Sequence, residues 1–175
     1  MPALALSVLC ACGAPASEGE SSETTGITGG ERPVQPAVEG SVELTLRYAD
    51  GTFLEVGDLR GRIVVLYVLT TYDGASQMGL RPLRELVETS PEVEIVAIAA
   101  QQGARLLVDA YEHALSLPFR VAYDPVDSIT GGTSALGELE AVPTLVVLDA
   151  RGLEVARYVG YCDTSCVSGL LARAR

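Results

Sequence analysis

Lysine is absent from this 175-residue chain: all 12 of its basic residues are arginines, set against 23 acidic residues for a formal net charge of −11. Such an acidic chain is a poor partner for the phosphates of nucleic acid or for an anionic membrane surface, which argues against both as targets. The ordinary meaning of the charge is solubility. Histidine is nearly absent too. His113 stands alone, with no cysteine or second histidine near it in sequence, so it is expected at the surface and not as a metal ligand. The apolar run at residues 3–11 is too short to span a bilayer and has the length of a signal-peptide core.

That run ends in Leu9-Cys10-Ala11-Cys12-Gly13, which resembles a bacterial lipobox. Residues 1–12 are therefore expected to direct export, with Cys12 acylated and anchoring the mature chain to the membrane of the cell envelope or periplasm. An ordinary or uncleaved signal sequence is the alternative. Residues 13–41 are rich in Gly, Ser, Glu, Thr and Pro, with almost no large apolar side chain. Such a stretch buries too little surface to offset the entropy of ordering it, and a disordered leash is expected.

The rest, residues 42–175, is long enough and apolar enough (48% hydrophobic overall) for one domain with a real core. It is organised around Arg62-Ile63-Val64-Val65-Leu66-Tyr67-Val68-Leu69-Thr70, a near-continuous apolar run that reads as a strand buried on both faces. Residues 76–88 follow with helical spacing, placing Met78, Leu80, Leu83, Leu86 and Val87 on one face. A buried strand, a turn and a helix begin a βαβ unit. The turn at residues 72–77 is then where a site is expected, because sites in such sheets form at carboxyl strand ends.

Before that unit, residues 42–48 and 52–56 read as a hairpin about Asp50-Gly51. After it come a second parallel strand at 93–99 and a helix at 103–116. The helix is expected to face Leu106, Leu107, Ala110, Tyr111, Ala114 and Leu115 inward. A short strand at 119–123, a Gly-rich loop with room for a short helix at 127–139, and a hairpin of strands 144–149 and 153–159 follow. A last helix spans 164–174, with Asp163 or Thr164 as its N-cap.

In order and spacing, these features resemble the thioredoxin-like proteins of the TlpA/ResA and AhpC/TSA group. The segments that carry the resemblance are Asp58-Leu59-Arg60-Gly61, the strand at 62–71, the strand at 93–99, Leu117-Pro118-Phe119, Ala141-Val142-Pro143-Thr144 and Leu148-Asp149-Ala150-Arg151-Gly152. The resemblance implies an α/β thioredoxin-like fold: a central mixed β-sheet flanked by helices, with an N-terminal β-hairpin extension. It also implies a cis bond at Val142-Pro143 and a substrate groove edged by Tyr72, Val142, Pro143 and Tyr161. An ordinary trans proline opening a strand is the plain alternative.

One departure matters most. Where the family carries W-C-x-x-C, this chain reads Tyr72-Asp73-Gly74-Ala75-Ser76, with Asp73 and Ser76 in the two thiol positions. Dithiol exchange needs a thiolate to attack and a second thiol to resolve, and neither oxygen side chain does that. Asp73 reads first as the N-cap of the helix; a general base or ligand is the sharper reading.

Two other cysteines, Cys162 and Cys166, are expected on the same sheet edge, one helical turn apart and within disulfide reach. Three roles are open to them: a structural disulfide, a displaced redox pair, or a copper or zinc site. Three functions compete accordingly. The leading one is a non-catalytic module that binds an extended peptide or an envelope protein, with no cofactor. The second is a thiol–disulfide oxidoreductase using Cys162 and Cys166, and the third is a metal carrier using the same pair.

Overall fold

The computed structural model describes residues 40–175; the expected leader, the lipidation at Cys12 and nearly all of the expected linker lie outside the described residues. Seven strands form one sheet in the order β2-β1-β5-β4-β3-β6-β7. They are β1 (Thr45–Tyr48), β2 (Phe53–Glu55), β3 (Ile63–Leu69), β4 (Val93–Ala99), β5 (Val121–Tyr123), β6 (Thr144–Leu148) and β7 (Glu154–Val159). The helices are α1 (Gly74–Met78), α2 (Leu80–Thr89), α3 (Val108–Leu115) and α4 (Thr164–Leu171).

The sheet is mixed. β3, β4 and β5 run parallel, while β6 pairs antiparallel with β3, and β7 with β6. The β1–β2 hairpin joins antiparallel to β5 at the far edge, as the expected extension. With strand side chains alternating, β3 divides between two cores. Val65, Tyr67 and Leu69 face the helices, against Leu83 of α2, Tyr111 of α3 and Leu170 of α4. Val64, Leu66 and Val68 face the other way, against Leu44, Leu46, Ile129 and Leu136. The expectation of a strand buried on both faces is met.

Three local expectations are corrected. The helix read across residues 76–88 is two helices, α1 and α2, broken at Gly79. Pro82 has no N–H to give the carbonyl four residues back, which is that of Met78, and its ring crowds that carbonyl. Met78 consequently points outward, while Leu80, Leu83 and Leu86 are buried as expected.

The helix read across 103–116 starts as a 3-10 turn at Ala104–Leu106 and becomes α-helical only at Val108. That tighter turn shifts the phase of the buried stripe. Ala104, Val108 and Tyr111 are inward; Leu106, Leu107, Ala110 and Ala114, expected inside, are exposed.

The Gly-rich stretch at 127–139 carries no regular helix, only turns. Buried Asp124 holds its start by accepting from the backbone N–H of Val126 (3.0 Å) and Ile129 (2.8 Å) and from the Ser128 hydroxyl (2.7 Å).

Candidate functional site

The parallel directions of β3, β4, β5 and β7 bring their carboxyl ends to one edge of the sheet, where β6 begins. Asp73 lies just past the end of β3 in an extended conformation and N-caps α1, accepting from the Ser76 N–H at 2.7 Å. Hydrogen bonds from the backbone N–H and then the hydroxyl of Ser76 hold its carboxyl below the ordinary aspartate range. Asp73 is thus a fixed anion in the role of a cap.

Ser76 is fully buried. Its hydroxyl oxygen accepts from the Thr70 N–H at 3.2 Å, and its carbonyl accepts from the Tyr67 hydroxyl at 2.8 Å. No histidine attends it: His113 is exposed on α3, with Nδ1 3.6 Å from Asp109. The Ser76 hydroxyl is shut off from solvent, with the Asp73 carboxylate as its acidic neighbour.

Facing this corner, the Val142–Pro143 bond is cis. The Pro143 carbonyl accepts from the Gly160 N–H at 2.7 Å, tying the end of β7 to the start of β6. Tyr161 follows at once and is 42% exposed, and Tyr72 is 76% exposed. Val142 is half-buried against the core on the face opposite the helices. Tyr72, Val142, Pro143 and Tyr161 therefore belong to one sheet edge.

Cys162 and Cys166 are joined in a disulfide, their Cα atoms 5.4 Å apart. Cys162 is only 5% exposed and belongs to the core beneath the helices, with Cys166 packed against it. Asp163 N-caps α4, accepting from the Cys166 N–H at 2.8 Å and from the Ser165 hydroxyl at 2.8 Å. The Cys166 N–H, followed by the Ser165 hydroxyl, holds the Asp163 carboxyl below its ordinary range. Sulfurs bonded to each other are not thiolate ligands, and among the described residues no group of three His, Cys, Asp or Glu is arranged to hold a metal.

Several residues that brace this corner were not legible from pattern. Gln101, buried beyond β4, receives the Thr71 N–H at 2.6 Å and donates to the Thr71 hydroxyl oxygen at 2.9 Å. Tyr67 is the one aromatic in an otherwise aliphatic strand, which was the available signal for a buried polar tether. Burial, then the charges of Tyr111 and Asp73, push its phenol well above its ordinary value. Tyr111 is buried under the same corner with its hydroxyl unpartnered, and burial followed by the Asp73 charge raises its phenol as well.

The exposed apolar surface is concentrated here. Seven large apolar or aromatic side chains are exposed among the described residues. Six of them (Tyr72, Met78, Leu106, Leu107, Val126 and Tyr161) lie in segments that follow the carboxyl ends of β3, β4, β5 and β7.

Known structures share this architecture. A thioredoxin-family thiol:disulfide interchange protein from Chlorobium tepidum superposes with a TM-score of 0.65 at 16% identity, covering 82% of this chain and 99% of that one. StoA from Bacillus subtilis gives 0.59 at 15% identity, covering 79% and 99%. The pneumococcal exposed lipoprotein thioredoxin from Streptococcus pneumoniae gives 0.62 at 15% identity, covering 74% and 98%. No protein-family model matches the chain. No curated protein matches it either. The chain has a thioredoxin-like α/β fold, with a central mixed sheet flanked by helices. No helix among the described residues is long and apolar enough to cross a membrane.

Proposed function

We propose that this chain is an exported, lipid-anchored binding module of the bacterial cell envelope. In this reading its groove holds an extended segment of a partner protein, and its redox corner has lost dithiol chemistry. The observation that carries the reading is that six of the seven exposed large apolar or aromatic side chains follow the carboxyl strand ends, on the edge that holds Asp73 and Ser76. Apolar patches of this kind mark docking surfaces, and a site without a thiolate has nothing else to offer a peptide.

The described chain enters the domain at the opposite pole. There the Val42 N–H donates to Gly152 and the Gly61 N–H to Ala150, each at 2.8 Å.

The competing reading, an oxidoreductase built on Cys162 and Cys166, is favoured by their place on the same edge. Two features weigh against it. Cys162 is sealed in the core, and the Asp163 carboxylate already occupies the backbone N–H that would stabilise a Cys166 thiolate. A staple for the last helix suits the pair better.

The test is a titration of the isotope-labelled full chain with a library of short extended peptides, followed by amide chemical shifts. Changes concentrated at Tyr72, Val142 and Tyr161 support the reading. No changes with any peptide, or changes confined to other surfaces, contradict it.

A further inference from the structure

The two fixed anions at this edge are placed alike. Asp73 directly follows exposed Tyr72 and caps α1; Asp163 lies two residues after exposed Tyr161 and caps α4. One couple stands past the end of β3 and the other past the end of β7, the two strands that pair with either side of β6. Pro143, at the start of β6, lies between them and is tied to Gly160 on the Tyr161 side. Residues 70–79 and 160–163 contain no other charged side chain, and no cation among them neutralises either carboxylate.

An edge that carries both exposed tyrosine rings and fixed carboxylates suits ammonium or guanidinium groups, which gain from a ring-face contact or from a charge-assisted hydrogen bond. The capping bonds from Ser76 and Cys166 keep both carboxylates ionised at neutral pH. Each cap bond also fixes its carboxylate in place, so little ordering remains to be done when a cation arrives.

Resting on the docking reading above, we propose that the partner segment is cationic. It would present arginine or lysine side chains to the Tyr72–Asp73 and Tyr161–Asp163 couples, on either side of an apolar residue over Pro143. A chain that is itself strongly acidic and free of lysine suits such a partner. Opposite net charge speeds the encounter, and the paired couples set the register. Beside Asp163, the Thr164 hydroxyl donates to Glu85, whose carboxylate already engages Arg81. An acidic segment would face the two ionised capping carboxylates and is selected against.

The experiment uses the full chain and three fluorescein-labelled hexapeptides. They share an apolar–aromatic frame and carry two arginines, two glutamines or two glutamates. Binding is read by anisotropy at low and high salt. The arginine peptide is expected to bind about tenfold more tightly than the glutamine peptide, the scale of two exposed cation–π and ion-pair contacts. Salt should erase most of that margin.

Asp73→Asn and Asp163→Asn keep a capping side chain, so the fold survives, and thermal melts check that it does. The double variant should lose the arginine preference while binding the glutamine peptide as before. Equal affinity for all three peptides, or an arginine preference that persists in the double variant, overturns the cationic inference and leaves the docking reading standing. No binding of any peptide overturns both.

Discussion

The hydroxyl of Tyr67, in the middle of β3, donates to the carbonyl of Ser76 across 2.8 Å and pins the first helix onto the sheet. Gly79 is the reason this fits. A Cβ built on Gly79 would lie 2.0 Å from the Tyr67 hydroxyl oxygen and 2.8 Å from its Cζ. The Tyr67 ring is buried in the core and has nowhere to retreat.

Gly79→Ala should therefore destabilise the protein by about 1–3 kcal/mol, the usual cost of overpacking a core. Tyr67→Phe alone should cost about 1 kcal/mol for the lost hydrogen bond. In the double variant the two effects should be less than additive, since the closest clash leaves with the hydroxyl. Urea melts of the four proteins measure the coupling, and strict additivity would remove Tyr67 as the cause.

The disulfide closes a short loop, Cys162 and Cys166 being only four positions apart in sequence. Replacing both with alanine should lower stability by about 2 kcal/mol on the loop-entropy estimate, and the last helix should fray first. Hydrogen exchange resolves the order. Uniform loss of protection across β3 and α4 alike would show that the bridge is not a local staple.

Acid should act through capping and turn carboxylates. Asp149 is buried at the β6–β7 turn. Burial raises its pKa, but this is outweighed by the Arg151 side chain and the N–H groups of Leu153 and Arg151, and the carboxyl titrates below its ordinary value of 3.8. A folded pKa below the unfolded one contributes stability that is complete above the unfolded value. That stability is lost as pH falls through the folded value.

Asp149→Asn should thus be less stable than the parent at pH 7 but lose less on acidification toward pH 3, in urea melts at both pH values. Equal pH slopes for the two proteins would exclude Asp149 from the acid response.

Much of this architecture was legible in the residues. The uniform aliphatic run of β3 specified a strand covered on both sides, and β4 fell at residues 93–99 as read. The cap of α4 was narrowed to Asp163 or Thr164 by their place before an apolar periodic run, and it is Asp163. Phase was harder to read than element type. The 3-10 turn at Ala104–Leu106 rotated the buried stripe of α3, and Pro82 broke a helix whose apolar spacing looked continuous.

At the candidate site, Asp73 as the cap of the first helix could be read directly. The braces could not. Gln101 meets Thr71 across 30 positions of chain, and Tyr67 meets the Ser76 carbonyl by a tertiary hydrogen bond that leaves no periodic trace.

Whether sulfur still works at this edge is settled most directly by a disulfide-reduction assay. Insulin serves as substrate and dithiothreitol as electron donor, for the full chain and for the Cys162→Ser/Cys166→Ser variant. Both proteins should leave the reaction at the rate of dithiothreitol alone. Acceleration by the parent that vanishes in the variant would contradict the account and assign catalysis to the Cys162–Cys166 pair. Acceleration by both would contradict it altogether.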